Sequence, residues 1–182
     1  MSFFHKWATR SDWCILDTET TGTSKTDQVL EVCAIGAEGE VLISSLIKVT
    51  CPISPHALAV HGVRKSDLRG APTFPEIAPL LLAAMKGRHV LAYNSPFDQR
   101  LLRQSWKAHT GLKGRIDDHI APIDRWQCVM AAFTRYHGTR VGLSEACRIA
   151  GLAVDLQHMD RHRAYGDCFL THRLIHKVGT VI

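Results

Sequence analysis

The sequence predicts an α/β fold in which a mixed sheet is flanked by helices. Three β-rich runs come first in the chain, and helical patterns then alternate with further strands. This order is typical of a sheet that combines antiparallel and parallel strands and carries helices on its faces. The 182 residues suit one domain with a sizeable core, and no repeat, low-complexity tract or long linker divides them. We therefore expect a single domain over residues 13–182.

The first third of the chain reads as a short lead-in followed by three strands. Residues 1–12 are polar and predict an irregular, mobile lead-in. The apolar run 13–16 predicts the first strand. Two β-rich runs follow at 29–35 and 41–49, and the glycine-containing segment 36–40 between them is a hairpin signal.

The middle of the chain predicts two helices and a fourth strand. Ser54 followed by Pro55 is a helix N-cap with proline in the first helical position, and Gly62 is placed to end this short helix. Residues 75–85 predict a longer helix closed by a glycine. Residues 89–93 predict the fourth strand.

The second half is predicted to be mostly helical. Its expected helices are residues 97–107, 125–136, 144–150 and about 164–177. Between them we expect a polar loop at 110–118, a short fifth strand at 119–123 and a histidine-rich loop at 155–163.

Acidic residues stand where apolar strands end. Asp17 and Glu19 follow the run 13–16, and Asp98 follows the fourth strand, in or near the first turn of the next helix. Carboxylates in such places are costly unless they are paired or bind a metal ion. Side chains at i and i+2 of an extended chain point to the same face. Asp17 and Glu19 can therefore reach one ion or an adjacent pair.

A further acid, Asp167, lies in the last predicted helix. It is in line with the apolar stripe of Leu170, Leu174 and Val178, so it should face inward, where an acid is either paired or metal-bound. Oxygen ligands without thiolates favour Mg²⁺ or Mn²⁺. Two such ions can activate a water and stabilise a leaving oxygen at a phosphodiester.

A histidine near this acid is suited to act as a general base. His162 precedes Asp167 by five residues, at the helix start, and its ordinary pKa near neutrality fits proton transfer from water. His158 and His172 are its rivals, and its position relative to Asp167 favours His162.

Four segments carry a resemblance to a known family. They are residues 17–22 (DTETTG), 53–62 (ISPHALAVHG), 94–98 (NSPFD) and 162–167 (HRAYGD). In this order and spacing they resemble the DnaQ-like 3′–5′ exonucleases, whose site comprises four acids and a histidine, and short bacterial members above all. The resemblance runs from about residue 13 to about residue 175; Tyr93 departs from it, where the family often has histidine.

The resemblance implies a ribonuclease-H-like fold, five-stranded here by our count of strands, and a role for each site residue. Two Mg²⁺ (or Mn²⁺) ions are expected on Asp17, Glu19, Asp98 and Asp167, with Asp17 bridging them and His162 deprotonating the water. The substrate-binding candidates are Thr20, Thr21, Gly22, His61, Asn94 and Phe97. Each has a plainer alternative: a tight turn for residues 20–22, a helix C-cap for His61, a turn-fixing role for Asn94 and a core position for Phe97.

Composition favours a nucleic-acid partner only modestly. The net charge of +5 suits a polyanionic partner. The basic side chains that could contact phosphates are Arg64, Lys65, Arg69, Arg100, Arg103 and Lys107. The alternative for each of them is an ordinary solvated position on the surface. The six cysteines include no C-x₂-C pair, which argues against structural zinc and favours reduced thiols in the cytoplasm. No run approaches the length of a membrane span.

The predicted function is 3′–5′ hydrolysis of DNA to mononucleotides, with single-stranded 3′ ends preferred. One alternative is an exoribonuclease of the same family, which would have to read or tolerate the 2′-hydroxyl. The other is a catalytically idle nucleic-acid-binding module, against which the presence of all five catalytic residue types argues. A polymerase or a repair protein is a candidate partner.

Overall fold

The fold is a five-stranded mixed sheet with helices on both faces. The computed structural model describes residues 1–111, 125–152 and 163–180. The strands are β1 Trp13–Thr20, β2 Val29–Gly36, β3 Val41–Leu46, β4 His89–Ala92 and β5 Trp126–Cys128, in the spatial order β3-β2-β1-β4-β5. The helices are α1 Phe3–Ala8, α2 Pro55–His61, α3 Phe74–Met85, α4 Ser95–Thr110, α5 Val129–His137, α6 Leu143–Ile149 and α7 Ala164–Gly179. β1, β2 and β3 pair antiparallel, whereas β4 and β5 continue the sheet in parallel with β1.

Most predicted elements are confirmed because their ends carry local signals. The hydroxyl of Ser54 accepts the backbone N–H of Ala57 at 3.1 Å, and Gly62 ends α2 in the left-handed conformation. Thr73 and Glu76 form a reciprocal capping box at the start of α3. All six cysteines are free thiols, four of them buried, as expected for small apolar side chains.

Alternation along β1 divides the core into two layers. Trp13 and Ile15 pack in the cluster that contains Leu170 and Leu174 of α7. Their neighbours Cys14 and Leu16 pack on the opposite face, against α3 and α4. Since successive strand residues point to opposite faces, the same alternation carries Asp17 and Glu19 to the α7 side and Thr18 to the α4 side.

The N-terminal segment corrects one prediction. Residues 1–12 were expected to be irregular, but residues 3–8 form α1, and Phe4 and Trp7 are buried. This helix packs on α7 so closely that a Cβ added to Gly179 would lie 2.6 Å from the carbonyl oxygen of Phe4. Its two buried aromatic side chains, three positions apart, outweigh the polar residues around them.

The end of the first strand and the start of one predicted helix are also corrected. β1 continues to Thr20 rather than ending at residue 16, so Asp17 and Glu19 lie within the strand. Residues 126–128 were expected to begin a helix but form β5, whose Trp126 pairs with Val90 of β4. The three-residue edge strand β5 forms because β4 supplies its backbone hydrogen-bond partners. No local sequence pattern predicts it. The strand predicted at 119–123 and most of the loop predicted at 155–163 lie outside the described residues.

Candidate active site

Three carboxylates meet between β1 and α7. Asp17 and Glu19 lie on the face of β1 that α7 covers, and Asp167 lies in the first turn of α7. One oxygen of each of these three side chains lies within 4.8 Å of the other two. The structure therefore brings together three of the four acids that the sequence singles out.

The fourth acid approaches β1 from the other layer. Asp98 is only 3% exposed, in the first turn of α4, and its Oδ1 accepts a hydrogen bond from the hydroxyl of Thr18 at 2.9 Å. Its negative charge is the largest charge effect on the pKa of Asp17, after burial itself. Asp98 thus borders the cluster without belonging to the compact group of three.

The ionised form of this cluster is unfavourable without a counter-ion. Burial, and then the charges of Asp98, Asp167 and Glu19, raises the pKa of Asp17. Burial, followed by Asp167 and Glu31, raises the pKa of Glu19 to about 9. Burial also raises the pKa of Asp98 to about 7, although the hydrogen bond from Thr18 opposes it. Close, partly buried oxygen ligands of one charge are the donor set that hard divalent cations prefer, so these residues fit such ions.

An ion pair fixes the start of α7 beside the cluster. Arg163, which precedes the helix, donates from Nε and a terminal nitrogen to the two carboxylate oxygens of Glu31 at 2.8 and 2.7 Å. Glu31 lies opposite Glu19 in the β1–β2 register, and its side chain is 8% exposed. The charge of Arg163 lowers the pKa of Glu19 and so partly offsets the repulsion around it.

A cavity of about 400 Å³ opens beside Glu19. Its lining residues are Thr18, Glu19, Thr20, Gly22, Thr23, Asp27, Ser54, His56, Ala57, Val60, His61 and Phe97. Four of the predicted substrate-binding residues are among them, namely Thr20, Gly22, His61 and Phe97. Thr21 and Asn94 are not in this lining.

The turn after β1 is held by hydrogen bonds to the side chains of Thr21 and Asp27. Thr21 is fully buried; its hydroxyl donates to Asp27 at 2.8 Å and accepts the backbone N–H of Gln28 at 3.0 Å. A Cβ on Gly22 would lie 2.6 Å from the same Asp27 carboxylate, so the glycine is needed for close approach. Thr20 and Gly22 of this turn therefore border the cavity, whereas the buried Thr21 side chain does not.

His61 is anchored through both ring nitrogens. Its Nδ1 accepts the backbone N–H of Val63 at 3.0 Å, so in the neutral ring Nε2 donates to the carbonyl oxygen of Thr20, 3.1 Å away. Burial lowers the pKa of His61, which favours this neutral form. The ring ties α2 to the end of β1, and only its carbon surface is left to contact a ligand.

The remaining predicted site residues are Phe97 and the histidines considered for the general base. Phe97 both packs against the core and lines the cavity, so its two alternatives coexist. His162 and its rival His158 lie outside the described residues. The other rival, His172, bonds to the carbonyl oxygen of Ala37 at 2.8 Å beside Trp13, at the end of β1 away from Glu19.

Sequence reasoning missed three polar residues that organise the site. They are Thr18, Asp27 and Glu31. Glu31 alone had a signal, because it interrupts the apolar run 29–35, and a buried acid needs a partner. The sequence does not reveal that this partner is Arg163.

A mixed sheet with an acidic cluster between its central strand and last helix defines a nuclease with a ribonuclease-H-like fold. The exonuclease family RNase_T matches residues 14–175, and the chain belongs to this family of DnaQ-like enzymes, which depend on divalent metal ions.

Curated relatives agree with this assignment. An uncharacterized exonuclease of Escherichia phage 186, CP81, is 29% identical over 180 residues, covering 93% of this chain and 89% of the phage protein. The DNA polymerase III subunit epsilon of Haemophilus influenzae is 30% identical over 148 residues, which are 76% of this chain and 56% of the subunit. Exodeoxyribonuclease 10 of Escherichia coli K12 is 24% identical over 88% of this chain and 66% of its own length.

Solved structures confirm the fold. Exonuclease X in complex with 5′-overhanging duplex DNA superposes with a TM-score of 0.67 at 24% identity, over 93% of this chain and 92% of that one. A 3′-exonuclease that recognises a histone mRNA stem-loop superposes with a TM-score of 0.74 at 15% identity, over 93% and 64%. Among the described residues, no helix is both long and apolar enough to cross a membrane.

Proposed function

We propose that this chain is a 3′–5′ exonuclease that removes mononucleotides from DNA with the help of two Mg²⁺ or Mn²⁺ ions. The observation that carries the proposal is the compact group of Asp17, Glu19 and Asp167, whose ligand oxygens lie within 4.8 Å of one another. Glu19 also lines the cavity of about 400 Å³, so the acids border a space in which a chain end can be held.

The acids have the role of metal ligands in this proposal. Asp17, Glu19 and Asp167 hold the ions, and Asp98 completes the set from the other layer of the sheet. When bound, the ions neutralise charge on the phosphate and make the attacking water more acidic. Their binding also offsets the burial and the repulsion that raise the pKa of Asp17 and of Glu19.

The remaining residues position the chain end and move a proton. Thr20 and Gly22 of the turn after β1, the ring of Phe97 and the carbon surface of His61 form the walls against which the terminal nucleotide lies. His162, immediately before Arg163 in the chain, accepts a proton from the attacking water. A neutral imidazole is required for this step, so the rate rises with pH through the ionisation of His162.

DNA is favoured over RNA by the relatives. An exodeoxyribonuclease and a DNA polymerase III subunit are among the curated relatives. The structural neighbour that recognises an mRNA stem-loop shares only 15% identity, so its similarity supports the fold and not the substrate. RNA is therefore the second candidate substrate.

The test uses matched single-stranded DNA, duplex DNA and RNA, each labelled at either end. With Mg²⁺, 5′-labelled single-stranded DNA should shorten stepwise, whereas a 3′ label should appear at once as a mononucleotide. EDTA or Asp17→Asn should abolish both, and Asp12→Asn, which alters an exposed acid outside the site, should not. The proposal would be overturned by stepwise shortening of the 3′-labelled strand, by internal cuts or by full activity in EDTA. If RNA is degraded faster than DNA, the substrate is RNA.

A further inference from the structure

A second cavity, of about 550 Å³, lies outside the acidic site. It is lined by Lys48, Val49, Lys65, Ser66, Leu68, Arg69 and Gly70. Three of these seven residues are cationic, and the two apolar ones, Val49 and Leu68, are buried. The cavity thus combines a ring of positive charge with an apolar floor.

The two walls of this basic cavity are fixed to each other. The backbone N–H of Lys48 donates to the carbonyl oxygen of Pro72 at 2.8 Å, and Lys48 forms an isolated β-bridge with Thr73. Val49 and Leu68 belong to one core cluster with Leu30 and Val63. The backbone that presents the three cations is therefore held in place before any ligand arrives.

The three cations form no ion pair within the described parts of the chain. No salt bridge joins Lys48, Lys65 or Arg69 to any acid in those parts. The neighbouring acid Asp67 is engaged by the backbone N–H of Arg64 at 2.8 Å and does not line the cavity. Exposed cations that face one cavity without ion pairs favour an anionic ligand.

Both walls continue directly into the acidic site. The segment after Val49 leads to Ser54, which borders the active-site cavity and whose backbone N–H donates to the carbonyl oxygen of Thr21 at 2.8 Å. The other wall follows α2, which borders the same cavity with His56, Ala57, Val60 and His61. A strand that leaves the acidic site along α2 therefore passes towards the basic cavity.

We propose that the basic cavity binds backbone phosphates of the substrate strand on the 5′ side of its terminal nucleotide. Lys48, Lys65 and Arg69 contact the phosphates, and the apolar floor packs against sugars. The inference rests on the proposed exonuclease function, because that function places the 3′-terminal nucleotide beside Glu19. Arg64, a sequence candidate for the same task, is not in the lining, whereas Lys48 was not singled out by the sequence.

The test compares a long with a short substrate. The variant Lys48→Ala/Lys65→Ala/Arg69→Ala should raise KM for an oligothymidylate of about 20 nucleotides and leave its kcat unchanged. Both constants should stay unchanged for a thymidine dinucleotide, because its single internucleotide phosphate is the one that the acidic site holds for cleavage. The matched control, Lys86→Ala/Arg173→Ala/Lys177→Ala, removes three exposed cations elsewhere and should behave like the wild type.

Direct binding separates this inference from the exonuclease proposal. In an Asp17→Asn background, the slope of log Kd against log salt for the long oligonucleotide should fall by about 0.7 for each phosphate that the protein no longer neutralises, or about 2 for three phosphates. A changed slope without 3′ cleavage by the parent enzyme would keep the basic cavity as a phosphate-binding site and remove the proposed 3′–5′ direction of cleavage. The inference is overturned if the slope and KM match those of the control, or if the dinucleotide is impaired as much as the long substrate. The single variant Lys65→Glu repeats the comparison if the triple variant fails to fold.

Discussion

Replacing Glu19 with glutamine is expected to stabilise the metal-free protein at pH 8. Glu19 is 9% exposed and close to Asp17 and Asp167, so its ionised form is opposed by burial and by like charge. Glutamine has nearly the same shape and no charge, so it keeps the packing and removes the repulsion. In the metal-free wild type, the ionised carboxylate of Glu19 lowers the stability of the fold. A bound cation would remove this penalty, so we expect the cluster to bind cations.

The sign and size of this change in the free energy of unfolding follow from the pKa of Glu19, which is raised from 4.5 to about 9 in the folded state. A proton is therefore taken up on folding, and the stability of the wild type falls as the pH rises through this window. Below the lower value both states are protonated and the penalty is absent. With about 1.4 kcal/mol for each pKa unit, the penalty at pH 8 is on the order of 3–5 kcal/mol.

Urea unfolding in EDTA at several pH values measures this effect. Between pH 5 and 8 the wild type should lose stability while Glu19→Gln changes less, and Mg²⁺ should restore more stability to the wild type than to the variant. Glu145→Gln is the control, because the hydrogen bond with Arg148 lowers the pKa of that exposed acid, which stays ionised over this range. A wild type that loses no more stability in EDTA between pH 5 and 8 than Glu19→Gln does, or a variant less stable than wild type at pH 8, would refute the reasoning.

The other predictions concern catalysis and the ion pair. Asp17→Asn should abolish hydrolysis while the protein stays folded; a variant retaining a tenth of wild-type turnover, a barrier change of only ~1.4 kcal/mol, would contradict its role. Activity assays should show complete loss in EDTA and recovery with Mg²⁺ or Mn²⁺, whereas Ca²⁺ should support binding with little cleavage. His162→Ala should lower turnover by roughly 10²–10⁴-fold and flatten the pH–rate profile near neutrality, and equal damage from His158→Ala would show that the wrong histidine was chosen. Arg163→Met should reduce the free energy of unfolding by about 2–3 kcal/mol, somewhat less than the roughly 3–5 kcal/mol of a fully buried pair because the Arg163 side chain is 34% exposed; a loss below ~1 kcal/mol in urea unfolding would mean that Glu31 does not depend on it.

Elements with local signals were predictable, and elements made by distant partners were not. Ser54, Gly62 and Thr73 mark helix ends through hydrogen bonds to residues a few positions away, so these ends can be read from the chain. β5 has no such signal, because its three residues are extended only through pairing with β4. The N-terminal helix α1 was missed although the Ser2 hydroxyl caps it locally by accepting the backbone N–H of His5 at 3.2 Å, because its aromatic side chains become a buried face only when α7 covers them.

The sequence by itself determined which acids could meet. Asp17 and Glu19 share a face because strand residues alternate, and Asp167 faces inward because it continues an apolar helical stripe. These are periodic properties of short segments, so they need no knowledge of the rest of the chain.

Only the tertiary structure decided what surrounds those acids. Glu31 meets Arg163 across 132 positions of sequence, Thr18 reaches Asp98 across 80, and Lys48 joins Lys65 and Arg69 around one cavity. Both ring nitrogens of His61 were likewise engaged only once α2 had packed against the end of β1. Partners of this kind are selected by the packing of whole layers, and a contact between distant segments leaves no periodic trace in either segment alone.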